Sequence, residues 1–354
     1  MALPAVQNVT DCANFSQTVL PYVPQLLSLP SKVIQASQEQ QFHVLKEFYI
    51  STNPLVTAAA FSLALVPIFL LAGELNKNYS QVDRFWSILP SIYNVHYATW
   101  AWLNGLAPTA VKSITVISLI WSARLTFNYW RKGGYSIGSE DYRWEIVRSK
   151  VKNRFFLLVL NLLFISLMQS LLLFAITTPT YIFLLLSTVP EGELSGLPYL
   201  AFSRGMLFFI IIEAFADQQQ WNFQRAKRRY LETARVPPEY KNTFSTDDLD
   251  RGFVISGLWS LCRHPNFAAE QAVWLTLYLW SCYNTGTYAN WTGIGALGYL
   301  LLFQGSTRLT ESITARKYPE YEDYQARVGM FIPRFSLKPR GQKSSQKKTS
   351  KKEE

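Results

Sequence analysis

The chain has 354 residues, 49% hydrophobic, 15% aromatic and only 16% charged, where soluble domains run nearer a quarter charged. Its net charge of +10 invites a nucleic-acid reading, but half of that excess sits between Lys338 and Glu354, where seven basic residues meet two acidic ones in a Ser/Gln/Lys-rich stretch that cannot build a core. Cys12, Cys262 and Cys282 show no zinc spacing and His43, His96 and His264 stand far apart, so no metal site is expected.

Taken in chain order, a polar segment over 1–50 comes first, without the basic-then-apolar layout of a cleaved signal peptide. It carries two N-glycosylation sequons, Asn8-Val9-Thr10 and Asn14-Phe15-Ser16. A membrane-embedded domain follows over 51–336, then a disordered Lys-rich tail over 337–354. Apolar runs at 55–73, 86–106, 109–130, 155–186, 197–216, 267–283 and 291–305 predict about seven transmembrane helices. The stretch from Phe155 to Pro190 has no Asp, Glu, Lys or Arg, more than the roughly 20 apolar residues one span needs. Pro179 is expected to break or end it. The fold class expected is an all-α polytopic membrane protein.

Basic residues crowd the connections after the third and fifth runs, from Arg131 to Arg154 and from Arg225 to Arg263, and return in the tail. The alternate connections near Ala107, Glu191 and Asn284 have no Lys or Arg before the next run. The positive-inside rule puts the basic regions and the C-terminus in the cytosol and the N-terminus outside. The final Lys351-Lys352-Glu353-Glu354 resembles a dilysine retrieval signal, a receptor-read address. Together these predict a multi-pass protein of the endoplasmic reticulum membrane.

Ionisable side chains in or beside a span need a reason. Glu213, Asp217, Gln220 and Gln224 follow one another at steps of four and three, which aligns them on one helix face. Two readings stand: a stripe that receives hydroxyls and amides of a bound polar molecule, or a helix emerging into water. Arg263 and His264 precede Pro265, which suits a helix first turn, and Asn266 and Glu270 then share a face. That N-terminus reads as an anion site or as a meeting with lipid head groups. Arg308, Tyr321 and Tyr324 follow the last run, as pocket residues or as an interfacial belt. Arg124 and Arg143 lie in and after the third run, and Asp83 enters the second, with Tyr93 and His96 deeper. All of these sets fall at the expected cytosolic ends, which suits a pocket taking a charged cofactor from that side and a lipid-soluble substrate from the bilayer.

The order Asp83…Trp86, Arg124-Leu125, Gly-Ser-Glu140-Asp141-Tyr142-Arg143-Trp144, Ala216-Asp217-Gln218-Gln219, Arg263-His264-Pro265-Asn266-Phe267…Glu270…Trp274, Tyr321…Tyr324 and Ile332-Pro333 resembles the DUF1295 branch of the steroid 5α-reductase-like membrane proteins. The resemblance runs from about Ser80 to Phe335. It implies a seven-helix fold with NADPH held from the cytosolic side. Asp217 would contact the cofactor, Asn266 and Glu270 the nicotinamide-ribose end, and Arg263 and Arg308 the phosphates, for which a bidentate fork is suited. Arg124, Arg143, Glu213, Gln220, Gln224, His264, Tyr321 and Tyr324 complete the candidate cofactor set.

The reaction implied is hydride transfer to the β-carbon of an enone or enoyl lipid, with a proton to the α-carbon. The nearest counterparts of the Glu and Tyr with which characterised steroid reductases hold the carbonyl are Asp83, Tyr93 and His96. The alternatives are an S-adenosylmethionine-dependent membrane methyltransferase, which shares the Arg-His-Pro-aromatic segment and paired tyrosines, and a non-catalytic lipid-binding protein.

Overall fold

The structure, a computed structural model, describes residues 2–38, 42–190 and 197–334. The Lys-rich tail with its dilysine end, Phe335 and the connection at Glu191 lie outside the described residues. Among those described, the chain is helical, with a single isolated bridge between Cys262 and Gly329. The longer helices are α1 (Val23–Gln38), α2 (Phe42–Ser51), α3 (Pro54–Asn76), α4 (Leu89–Leu103), α5 (Thr109–Arg131), α6 (Tyr142–Lys150), α7 (Arg154–Leu186), α8 (Leu197–Thr233), α9 (Pro265–Thr285), α10 (Gly293–Lys317) and α11 (Tyr321–Arg327).

Four of these, α3, α5, α7 and α8, are long and apolar enough to cross a membrane. The other three expected runs are helical as α4, α9 and α10, which fall short in length or in apolar content. Local chemistry sets the boundaries. The Asn53 side chain accepts from the Leu55 amide at 2.9 Å and Pro54 occupies the first turn, so α3 starts there. It stops at Lys77, which takes the left-handed conformation at φ 50°. Helix α7 widens into a π-helical turn over Asn161–Met168 and breaks at Ile176-Thr177, just before Pro179 in the first turn of Thr178–Leu186.

Contacts divide the chain into two compact units, one of Met1–Asp217 with Asn266–Ile313, the other of Gln218–Pro265 with the residues from Thr314 on. The first has a core rich in large aromatics, including Trp100, Trp121, Trp274, Trp280, Tyr181 and Phe183. All nine residues of Thr178–Leu186 are buried in it, whereas Phe155, Phe156 and Leu163, earlier in α7, are exposed. The charge-free run is therefore an exposed apolar stretch followed by a buried one.

Residues 2–38, read as polar, also join this unit. Leu3, Val6, Val9 and Val19 pack on the core and Cys12 is fully buried. The Tyr181 hydroxyl accepts from Asn53 Nδ2 at 2.9 Å and donates to the Thr18 carbonyl at 3.3 Å. One tight crossing limits the unit: a Cβ added at Gly295 of α10 would stand 2.3 Å from the Ala175 carbonyl oxygen of α7. Backbone cannot yield as a flexible side chain can, so Gly295→Ala should cost about 1–3 kcal/mol of overpacking, read as a lowered melting temperature of the purified protein.

In the second unit, Phe253, Tyr321 and Tyr324 form a small aromatic core, with the Phe253 ring 5.0 Å from Tyr321 and 5.6 Å from Tyr324. The Tyr324 hydroxyl donates to the Trp259 carbonyl. These tyrosines are core residues, not an interfacial belt. Lys227 Nζ donates to the Gly252 carbonyl at 2.8 Å and to the Tyr318 hydroxyl. Burial pushes the Tyr318 phenol up, but this ammonium outweighs it and brings the phenol below its ordinary range.

Candidate functional site

Four helices of the first unit meet at Arg124 and the carboxylates around it. Helix α5 supplies Trp121 and Arg124, one turn apart, α8 supplies Glu213 and Asp217, α9 supplies Asn266, Glu270 and Trp274, and α10 supplies Tyr299. The four-residue spacings on α8 and α9 place each pair on one face. Asp217 stands about 30 Å along α8 from its start, the depth at which a span leaves the hydrocarbon.

Arg124 Nη2 donates to Glu213 Oε1 at 2.8 Å and to Glu270 Oε2 at 3.3 Å, and its Nη1 donates to Asp217 Oδ2 at 2.7 Å. Asn266 Nδ2 donates to Asp217 Oδ1 at 3.1 Å, and Arg131 Nη2 to the Asp217 carbonyl at 3.2 Å. Glu270 Oε1 is ringed by donors: the Tyr299 hydroxyl at 2.6 Å, Trp274 Nε1 at 3.0 Å and Trp121 Nε1 at 3.1 Å. Trp86 stacks on Tyr299 with ring centres 5.8 Å apart, and its indole donates to Gln169 Oε1 at 2.7 Å.

The three carboxylate side chains are 3–6% exposed and Arg124 is 12% exposed. The formal charges of these four groups are one positive and three negative. A buried surplus of anions demands compensation from bound protons or from positive or hydrogen-bond-donating groups brought from outside. The cluster is thus built to accept hydroxyls, amide N–H groups or a cation, and it repels phosphate. Arg124 Nε is buried without a hydrogen-bond partner.

Of the sequence candidates, the structure joins Arg124, Glu213, Asp217, Asn266 and Glu270. The stripe on α8 is shorter than its periodicity suggests, because Gln224 is exposed; Gln220, in the second unit, has a buried Oε1 without a partner. Arg263, expected at a phosphate, donates instead to the carbonyls of Gln325 and Val328, and its backbone N–H to Gly329. The buried His264 ring packs between Trp259 and Phe331. Arg308 is exposed, and nine residues from Tyr299 put it on the opposite face of α10. Arg143 makes a bidentate pair with Asp141, the residue that caps its own helix. Tyr321 and Tyr324 belong to the second unit's core.

Asp83, Tyr93 and His96 lie outside the cluster's hydrogen bonds. Asp83 Oδ2 accepts from Trp144 Nε1 at 3.1 Å, and burial raises the pKa of its carboxyl above the ordinary value. Ser87 Oγ, 2.7 Å from Thr126 Oγ1, pins this segment beside α5 within a turn of Arg124. Tyr93 packs between Phe61 and Phe174. His96 has both ring nitrogens engaged, Nδ1 2.7 Å from the Tyr49 hydroxyl and Nε2 2.9 Å from the Pro54 carbonyl. Sequence reasoning missed Trp121 and Tyr299. For Trp121 a signal existed, since a buried indole three residues from Arg124 needs an acceptor; Tyr299 lies in an apolar run without one.

The chain matches the family model described as protein of unknown function (DUF1295) over residues 69–328, which contains the whole cluster. It is 36% identical over 333 residues to uncharacterized protein C594.04c of Schizosaccharomyces pombe, covering 94% of this chain and 93% of the relative. Over 84 residues it is 31% identical to the nickel-cobalt-cadmium resistance protein NccN of Alcaligenes xylosoxydans xylosoxydans, covering 24% of this chain and 37% of that protein. No solved structure matches it.

Proposed function

The chain belongs to the DUF1295 family, and from that premise we propose that it is a seven-span membrane oxidoreductase with a steroid 5α-reductase-like fold that reduces an enone or enoyl lipid with NADPH. The observation that carries this reading is the buried cluster of Arg124, Glu213, Asp217, Asn266 and Glu270. Its polar groups fit one end of the cofactor: carboxylates and an amide oxygen accept from ribose hydroxyls and a carboxamide N–H. The phosphates fall to another cation, and Arg131 is the nearest, half-buried, seven residues beyond Arg124 on the same face and already against Asp217.

NADPH supplies the hydride, and the protein supplies position and electrostatics. Asp217 and Asn266 orient polar groups at the cluster. Glu270, held by Trp121, Trp274 and Tyr299, cannot swing away, and the indole walls exclude water. Asp83 is the proton source favoured among the three sequence candidates, because its segment is tied to α5 through Ser87 and Thr126 and its carboxyl is shifted by burial toward its protonated form. The substrate reaches the site from the bilayer. The dilysine pattern and the basic connections support an endoplasmic reticulum location with a cytosolic C-terminus.

One observation favours a second reading. The surplus of negative charge also suits a cationic cofactor, and S-adenosylmethionine carries a sulfonium and an ammonium. Thermal protection separates the two. NADPH should raise the melting temperature of the detergent-solubilised protein, and Asp217→Asn and Asn266→Ala should abolish the rise. Protection by S-adenosylhomocysteine, with none by NADPH, would reverse the assignment to a methyltransferase.

A further inference from the structure

Helix α1 turns an apolar stripe away from the fold. Val23, Leu27, Pro30 and Ile34 follow at steps of four, three and four, one helix face, and all four are exposed, Leu27 at 80% and Ile34 at 58%. The opposite side is the docked one. Gln25 Oε1 accepts from the Asn53 amide at 3.2 Å, and Leu26, Ser28 and Leu29 are half-buried. Lys32, the one charged residue between Leu20 and Ile34, lies across the helix from the stripe.

What covers the stripe is indicated by its neighbour. Helix α1 packs against α3, a candidate span whose outward residues Phe61, Ile68, Leu71 and Leu75 are exposed in the same way. Those residues face acyl chains when α3 crosses the bilayer. Helix α1 is tied to the start of α3 through Gln25 and Asn53, so its stripe lies near the end at which α3 would enter the bilayer. A helix with one apolar face, one charge opposite and a docking point beside a span has the form of an interfacial helix, which seats its apolar face at the boundary of head groups and acyl chains.

We infer that α1 is such a helix, lying along the leaflet at which α3 starts, with Val23, Leu27, Pro30 and Ile34 inserted into lipid. Nitroxide labels on Leu27→Cys, Ile34→Cys and Lys32→Cys test this in the full chain reconstituted into phosphatidylcholine vesicles. The native Cys12, Cys262 and Cys282 are buried, which favours labelling at the new sites. At positions 27 and 34, relaxation by oxygen should exceed relaxation by a water-soluble nickel chelate several-fold, with the order reversed at position 32. Greater access of the chelate than of oxygen at position 27 would overturn the inference by placing the stripe in water. Exclusion of both reagents with spin–spin broadening at position 27 would also overturn it, because the stripe would then be covered by a second copy.

Discussion

Exchanging Arg124 for methionine should remove a large share of the first unit's stability. Its guanidinium is the shared partner of Glu213, Asp217 and Glu270, and without it three carboxylates remain in a nearly dry interior. Breaking one buried ion pair by removing a partner typically costs about 3–5 kcal/mol. That is a large part of the roughly 5–15 kcal/mol that holds a domain together. Arg124→Lys keeps the charge but not the fork. A single ammonium cannot occupy the places of Nη1, on Asp217, and Nη2, on the two glutamates, so an intermediate loss is expected. Fluorescence-detected size-exclusion chromatography after a heating series reads this order, wild type above Arg124→Lys above Arg124→Met. A methionine variant as heat-stable as the wild type would mean that the carboxylates do not depend on Arg124.

That network shows where sequence reading reaches and where it stops. Glu213 with Asp217 and Asn266 with Glu270 were legible because a helix repeats every 3.6 residues, so two polar residues four apart beside an apolar run share a side before any fold is known. Arg124 was visible only as a charge. Its partner Asp217 lies 93 residues away, and packing alone decides which helices meet. Composition likewise cannot tell a helix bathed in lipid from one surrounded by other helices, since both are apolar all round. Hence the run from Phe155 onward read as one candidate span with a break at Pro179, and its composition did not tell that its last nine residues, Thr178–Leu186, are buried among other helices. Arg263 and the paired tyrosines misled for a related reason. Guanidinium and phenol suit phosphates and interfaces, but they suit carbonyls and aromatic cores as well, and Arg263 reaches Gln325 and Val328 while Tyr321 and Tyr324 close on Phe253.

Glu270 poses the complementary experiment, because here the acceptor is removed and the donors stay. Trp121, Trp274 and Tyr299 all aim at its carboxylate, and Arg124 reaches it too. Glu270→Ala leaves three buried neutral donors without an acceptor, at about 1–3 kcal/mol each, in addition to the space the side chain filled. Glu270→Gln keeps one oxygen for the ring of donors, but its amide must bring N–H groups against Trp121 or Arg124, so it should lose less than alanine and still fall below wild type. Tyr299→Phe deletes one donor and strands nothing but spare acceptor capacity; a hydrogen bond to a charged group is worth about 1.5–3 kcal/mol. The melting temperatures should therefore descend from wild type through Tyr299→Phe and Glu270→Gln to Glu270→Ala. Heating NADPH with the same variants separates position from mere presence. Tyr299→Phe should retain protection, because Arg124 and two indoles still hold the carboxylate, whereas Glu270→Gln should lose it at temperatures where the protein remains folded. Equal protection of Glu270→Gln and wild type would remove Glu270 from the cofactor site and leave it a purely structural acceptor.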